Sequence, residues 1–340
     1  RLDYFLISDP QSIAYCTGYY NDPHERMFVF MISKHGNHTL FMNDLFYLEH
    51  DLDVNIVWHK DGQDAIQTIV DEMHFPGRIG IDKNWASHFL LDLMKKLPDA
   101  KYINASPCVD LVRMKKDLQE QVLMIESSKI NDAVMEEIIP FIQEGVTEKQ
   151  LAKKLDELFF NHHSTCYGAI VAFGKNAADP HHENDDTPLR KGDCVLIDMG
   201  CVYKGYCSDM TRTFFYEGIL EEEIKVYEIV KKANEAAEAM IKPGVKLSDI
   251  DKCARKVISD EGYGKYFTHR LGHFIGRDVH EYGDVSSVNE MEVEEGMIFS
   301  IEPGIYLEGN FGVRVEDLVM VTKDRCQVLN SFTKDIYIIY

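Results

Sequence analysis

The sequence predicts a two-domain α/β protein, with an α/β domain over residues 1–112 and an α+β domain with an internal pseudo-twofold repeat over residues 113–340. Three observations carry this reading. Residues 1–112 alternate strand-like and helix-like runs. The remainder repeats itself at a spacing of about a hundred residues, long enough for a duplicated half-domain rather than a solenoid. Each copy of the repeat carries two carboxylates flanking a turn. At 340 residues the chain is also long for one core.

Taken in order, Tyr4-Phe5-Leu6-Ile7-Ser8, Phe28-Val29-Phe30-Met31-Ile32 and Arg78-Ile79-Gly80-Ile81-Asp82 read as strands, and His88 to Leu97 as a helix. A linker is expected from Ser106-Pro107 to Arg113-Met114-Lys115-Lys116. Leu118, Val122, Ile125, Val134 and Ile138 then fall near helical spacing as an apolar stripe. Thr147 with Gln150 makes a capping box for the next helix, which carries Leu151, Leu155 and Leu158. Glu221-Glu222-Glu223 suits a helix N-terminus, and the helix through Ile224 to Met240 stops at Pro243-Gly244. Ser248 is the expected cap of a helix bearing Ile250, Ala254, Val257 and Ile258 and ending at Gly262. The chain opens on Arg1 almost directly into a strand, so a short N-terminal stretch is expected to be missing.

Composition narrows the class. With 45% apolar and 27% charged residues the chain is an ordinary soluble globular protein. A net charge of −21 argues against nucleic acid and anionic membranes as partners. There is no signal-peptide hydrophobic segment and no apolar run that spans a bilayer. The eight cysteines show no CxxC pair, so they read as reduced, buried residues of a cytoplasmic protein.

The acidic residues point to chemistry. Asp198 ends the apolar run Cys194-Val195-Leu196-Ile197, and Asp209 opens Asp209-Met210-Thr211-Arg212-Thr213-Phe214-Phe215, with Tyr203-Lys204-Gly205-Tyr206 as a turn between them. Their midpoint falls between Tyr203 and Lys204, which sets the two aspartates opposite each other with Cβ atoms roughly 4.5–5.5 Å apart. Glu302 and Glu316 flank Gly309 in the same way. Carboxylates held so close repel unless a cation lies between them. Lys191 to Gly200 aligns without gaps on Glu295 to Gly304, placing Asp198 on Glu302. Upstream, Glu144-Gly145-Val146-Thr147 matches Pro243-Gly244-Val245-Lys246, and Pro180-His181 precedes its acidic strand about as far as Val279-His280 does. A pseudo-twofold axis would gather the four carboxylates and His273 at one site. One aspartate in a strand is usually a solvated edge residue; four carboxylates in repeat-equivalent places, with a histidine, suit divalent cations, which favour carboxylates and accept imidazole when they are manganese, zinc or cobalt.

In order and spacing, Pro180-His181, Ile197-Asp198-Met199-Gly200, Ser208-Asp209-Met210-Thr211-Arg212-Thr213, Gly272-His273-Phe274-Ile275-Gly276, Val279-His280-Glu281, Ile301-Glu302-Pro303-Gly304 and Val313-Arg314-Val315-Glu316-Asp317 resemble the pita-bread metallopeptidases. Asp22-Pro23-His24-Glu25-Arg26 and His269-Arg270-Leu271-Gly272-His273 bring the resemblance, within the creatinase/aminopeptidase P/prolidase branch, to the prolidases. It covers essentially the whole chain. It implies a creatinase-like N-terminal domain and a pita-bread catalytic domain. The implied activity is hydrolysis of the Xaa-Pro bond in dipeptides, with two divalent metal ions (Mn²⁺ foremost, Co²⁺ or Zn²⁺ as alternatives) and a metal-bridging water as nucleophile.

Carried over position by position, the resemblance implies Asp198, Asp209, His273, Glu302 and Glu316 as metal ligands, with Glu302 also the general base. His181 and His280 match histidines that stabilise the tetrahedral intermediate or steer protons and substrate. Arg270 is the candidate grip on a dipeptide's free carboxylate, which suits a guanidinium fork. Arg314, two residues before Glu316, is read either as a partner of the ligands or as a substrate clamp. Asp22 and His24 match a loop that crosses a dimer interface toward the partner's active site, so a homodimer acting on small peptides is expected. Arg212, His182 and His162-His163 read as structural. One alternative is an aminopeptidase P acting on longer Xaa-Pro peptides, against which Arg270 argues. The other is a non-peptidase pita-bread hydrolase or peptide-binding protein, against which the full set of five ligands argues. The chain also departs from the family with Phe274, Arg277, Gly283 and Asp284. Several of these are expected to border the substrate pocket, with Phe274 narrowing it and Asp284 repelling the substrate carboxylate, so that the dipeptide preference narrows or shifts; the competing reading packs Phe274 in the core and pairs Asp284 with Arg277.

Overall fold

Every residue of the strand Tyr4–Ile7 is buried, with Tyr4 and Leu6 in one apolar cluster and Phe5 and Ile7 in another. That period of two means both faces of the sheet are covered. The computed structural model describes residues 1–74 and 76–340, which divide into two units, Arg1–Arg113 and Met114–Tyr340. In the first unit six strands run in the order Asn55–His59, Thr39–Asn43, Val29–Ser33, Tyr4–Ile7, Arg78–Ile81, Lys101–Asn104. Ile66, Ile69 and Leu93 from two helices close one face, and Ile13 and Val109 from two others close the opposite face.

The stretch expected to be a linker is instead the helix Pro107–Met114. Proline suits the first helical position. Buried Asp110 takes Lys83 at 2.9 Å, and Arg113 donates to Asp9 at 3.1 Å and to Ser12 at 2.9 Å, so the segment's charges are fastened rather than solvated.

The second unit sets a helix pair over a sheet twice. Ile170–Phe173, Cys194–Met199, Met210–Tyr216 and Ile338–Ile339 form one sheet, packed by Val134, Ile138, Leu151 and Leu155 from the helices Leu118–Ile138 and Glu148–Asn161. Ile298–Ile301, Asp317–Val321 and Cys326–Val328 form the other, under Glu221–Met240 and Leu247–Asp260. A bridge from Thr211 to Glu316 joins the two sheets, with the Glu316 N–H donating to the Thr211 carbonyl at 3.1 Å.

The registers decide where the acids go. Ile301 faces Asp317 and Gly304 faces Arg314, so Glu302 and Glu316 share one register about Gly309, as their spacing predicts. The aspartate pair differs from expectation: Asp198 faces Thr211, not Asp209. Tyr203 pairs with Tyr206 around a two-residue turn, Lys204-Gly205, whose φ angles are 49° and 82°. Positive φ at both central residues is the type I′ turn that matches strand twist. It moves the centre of the hairpin by one residue and leaves Asp209 diagonal to Asp198.

Three smaller expectations also give way. Leu118 and Val122 are 79% and 57% exposed, because the inner face of Leu118–Ile138 is partly polar. Asn131 donates to the Met199 carbonyl at 3.0 Å, and Asp132 accepts from the N–H groups of Ser331 (2.7 Å) and Phe332 (3.1 Å). Ser248 lies inside Leu247–Asp260 and does not cap it; the N–H groups of Leu247 and Ser248 donate to the carbonyls of Met291 and Asn289. All eight cysteines are free thiols, but Cys16 and Cys108 are exposed rather than buried. Among the described residues no helix is long and apolar enough to cross a membrane.

Candidate metal centre

Asp198 and Glu302 stand at the C-terminal ends of Cys194–Met199 and Ile298–Ile301, while Asp209 and Glu316 immediately precede Met210–Tyr216 and Asp317–Val321. His273 enters from the short strand Gly272–His273, where a Cβ on Gly272 would lie 1.9 Å from the Ser300 carbonyl, so only glycine permits the approach. The His273 N–H donates to Ser300 Oγ at 3.0 Å. All five side chains line one cavity of about 630 Å³, together with His181, His280, Arg270 and Arg314. Asp22 and His24 are not among its lining residues. They sit in an exposed turn of the first unit, where the His24 N–H donates to Asp22 Oδ1 at 3.0 Å.

His273 Nε2 lies 3.5 Å from Asp209, 3.7 Å from Glu302 and 3.9 Å from Glu316. Its Nδ1 is 3.2 Å from the Phe274 carbonyl, which can only accept, so Nε2 is the atom presented to the acids. Ligand atoms of Asp209, His273 and Glu316 lie within 4.8 Å of one another. Thr211 Oγ1 donates to Glu316 Oε2 at 2.7 Å, but buried Glu316 Oε1 has no hydrogen-bond partner among the described residues. Burial pushes the Glu316 carboxyl well above the usual carboxylate range, and the charges of Asp209 and Glu302 push it further. Asp209 is raised by burial and by Asp198, against the pull of His273. Burial carries Glu302 up to about 7 although His273 and Arg314 oppose it. Four clustered carboxylates, one imidazole and an orphaned buried oxygen fit a divalent cation, whose charge would return these acids to their ionised forms.

Arg314 is buried and committed. Its Nη2 donates to Asp198 Oδ2 at 2.5 Å, Nε to Thr211 Oγ1 at 3.1 Å, and Nη1 to the Tyr306 hydroxyl at 3.0 Å. Of the two readings of Arg314, this geometry favours the partner of a ligand over a substrate clamp. Arg270 is exposed on the cavity wall, and among the described residues no carboxylate pairs with it. The His280 ring meets His273 edge-on at 4.2 Å, and burial, aided by His273 and Arg270, lowers it to about 4, leaving a neutral imidazole.

Sequence reasoning missed His269 and Tyr306. His269 Nδ1 lies 2.7 Å from the Arg270 carbonyl and must donate to it, so Nε2 accepts from the Tyr306 hydroxyl at 2.8 Å. A hydrogen-bonded chain thus runs from Asp198 through Arg314, Tyr306 and His269 to the backbone of Arg270. The signal for His269 was its place four residues before His273; Tyr306 had none. The family departures fall away from the cavity. Phe274 is fully buried against Phe299 (5.3 Å), Gly283 takes φ +104°, which proline cannot reach, and Asp284 accepts from Ser286 and Asn289 rather than pairing with Arg277. The expected narrowing of the pocket by Phe274 and repulsion of substrate by Asp284 are therefore corrected: neither residue lines the cavity.

Arg212, fully buried, donates to Asp317 at 2.7 Å and to the carbonyls of Thr333, Glu316 and Phe332. Arg212→Ala leaves three carbonyls without their donor and Asp317 with Lys334 (2.7 Å) as its one remaining cation, and is expected to cost about 3 kcal/mol of stability. Chemical denaturation of the chelated protein reads this directly; an unshifted midpoint would remove Arg212 from the framework.

The family model for Metallopeptidase family M24 matches residues 122–323, and that for the Creatinase/Prolidase N-terminal domain matches residues 1–115. An uncharacterized peptidase of Staphylococcus aureus is 35% identical over 98% of this chain and 96% of its own length. A dipeptidase from Pyrococcus horikoshii OT3 superimposes with a TM-score of 0.92 at 35% identity, covering 99% of this chain and 96% of that one. A prolidase from Thermococcus sibiricus does so with a TM-score of 0.94 at 33% identity, covering 99% and 94%.

Proposed function

The chain belongs to metallopeptidase family M24, and from that premise we propose that it hydrolyses the Xaa-Pro bond of dipeptides using two divalent metal ions, Mn²⁺ foremost. The observation that carries this reading is the cluster of Asp209, Glu302 and Glu316 within 3.9 Å of His273, with Asp198 lining the same cavity and Glu316 Oε1 left unsatisfied. Asp198, Asp209, His273, Glu302 and Glu316 would hold the ions. When bound, such a pair supplies water of near-neutral pKa and a polarised amide carbonyl.

The remaining chemistry falls to the chain. Glu302, ionised beside the cations and lining the cavity, is placed to take a proton from the attacking water and pass it to the departing proline nitrogen. His280, as a neutral imidazole, and His181, both lining the cavity, donate to the oxygen on which charge develops. Arg314 holds Asp198 in place. Arg270 meets the carboxylate of the substrate proline, which favours dipeptides over the longer peptides of an aminopeptidase P. The names of the Pyrococcus and Thermococcus relatives, dipeptidase and prolidase, support that choice.

Arg270→Ala should lower kcat/KM for dipeptides by the equivalent of roughly 2–5 kcal/mol, the cost of losing one partner of a desolvated charge pair. A C-terminally amidated dipeptide should lose far less, and equal losses for acid and amide would reject the anchor.

The Asp22–Arg26 turn supports a homodimer in which this loop reaches the partner's active site, and free thiols support a reducing, cytoplasmic setting. Light scattering should return twice the 39.1 kDa chain mass; a monomer at micromolar concentration would rule the dimer out.

A further inference from the structure

We infer that two contacts, the His182–Glu148 hydrogen bond and the buried Glu281–Lys116 ion pair, aim the cavity histidines His181 and His280, each acting through the residue that follows its histidine in the chain. The inference rests on the roles proposed above for His181 and His280.

Glu148 opens the helix Glu148–Asn161 and is wholly buried, an unusual place for a carboxylate. Its Oε1 accepts from the Phe173 N–H and from Asn176 Nδ2, both at 2.9 Å. Its Oε2 accepts from the Asp185 N–H at 3.0 Å and from His182 Nε2 at 2.7 Å. All four donors belong to the segment 173–185, which carries His181. Glu148, His182 and Asp185 are also close enough to hold an ion. Both Glu148 oxygens are already engaged by N–H donors, however, so the cluster is the hub of a loop and not a second metal site. On the other flank of His181, the Pro180 carbonyl lies 3.4 Å from Arg314 Nη1. His181 is exposed to the cavity, yet both its neighbours are tied down.

The other half uses the same device, with the carboxylate now on the residue after the histidine. The Glu281 N–H donates to the Phe274 carbonyl at 2.8 Å, and its Oε1 accepts from the Arg277 N–H at 3.0 Å. Its Oε2 accepts from Lys116 Nζ at 2.9 Å, and the two side chains are only 1% and 5% exposed. The Lys116 N–H donates to the Gly296 carbonyl at 2.8 Å, fixing the lysine just ahead of its helix. Desolvation cancels much of what a buried ion pair adds to stability, so the effect of Glu281–Lys116 lies in geometry. A displacement near 1 Å at a group that meets the transition state is enough to cost about 10²-fold in rate.

The test is a pair of double-mutant cycles: Glu148→Gln with His181→Ala, and Lys116→Met with His280→Ala. Each is read as kcat and KM on an Xaa-Pro dipeptide, with Mn²⁺ affinity measured calorimetrically on chelated protein. Each single variant should lower kcat by about tenfold or more, with KM and Mn²⁺ affinity within about twofold of the parent. In each double variant the anchor substitution should add less than about twofold to the loss from the histidine. His182→Gln, which still donates to Glu148, should keep most of kcat, whereas His182→Leu should match Glu148→Gln. If Glu148→Gln does not fold by circular dichroism, His182→Leu with His181→Ala serves in its place. Losses that multiply, or weakened Mn²⁺ binding, overturn the positioning and leave the histidine roles standing. Unchanged kcat in His181→Ala and His280→Ala overturns those roles and this inference together.

Discussion

Glu302→Gln is expected to lower kcat by about 10²–10⁴-fold, the range associated with losing a positioned general base. The amide keeps the size of the carboxyl and can still point one oxygen into the cavity, but it cannot take up a proton. Glu302 lies 3.7 Å from His273 and 3.3 Å from Ser300 Oγ, a donor that glutamine's carbonyl also satisfies. The substitution should therefore fold. Metal content must be measured beside kcat, because Glu302 is also proposed as a ligand. Loss of turnover with metal retained assigns the base; loss of both together assigns only the ligand. Wild-type turnover in Glu302→Gln would remove Glu302 from the reaction.

Exhaustive chelation carries the second large effect. Without cations, Asp209, Glu302 and Glu316 remain buried beside one another, each raised above its ordinary range by burial first and by neighbouring acids next. Hydrolysis should disappear and return on adding Mn²⁺ or Co²⁺. Stability should follow the same ligand: at an ion concentration of 100 Kd, binding to the folded chain alone is worth about 2.7 kcal/mol. The thermal midpoint should thus fall on chelation and recover with metal. A midpoint and a rate that both ignore chelation would mean that the acid cluster is not a metal centre.

The fold and much of the candidate site were legible because they are written in local spacing. Gly309 centres Glu302 on Glu316 without reference to anything distant. The aspartate pair was misplaced by a turn: Lys204, a non-glycine residue, takes positive φ beside Gly205 and so moves the register. Longer-range partners left no local trace. Ser248 reads as a cap until the loop carbonyls of Asn289 and Met291 are brought to the helix start. Leu118 and Val122 follow the apolar period, yet the inner face of their helix is held by Asn131 and Asp132, whose partners lie at Met199, Ser331 and Phe332. Tyr306 joins Arg314 to His269 only after a hairpin folds it across. Phe274 looks like a pocket residue from its place beside His273, but alternation turns it into the core against Phe299.

We propose that a metal-dependent Xaa-Pro dipeptidase is built on His273 and the four carboxylates. The most direct test is proline release from an Xaa-Pro dipeptide while chelated protein is titrated with Mn²⁺. The expected result is no release from metal-free protein, and a rise to a plateau at two ions per chain, with amidated and tripeptide analogues cleaved far more slowly. Release at the full rate from metal-free protein would contradict the claim.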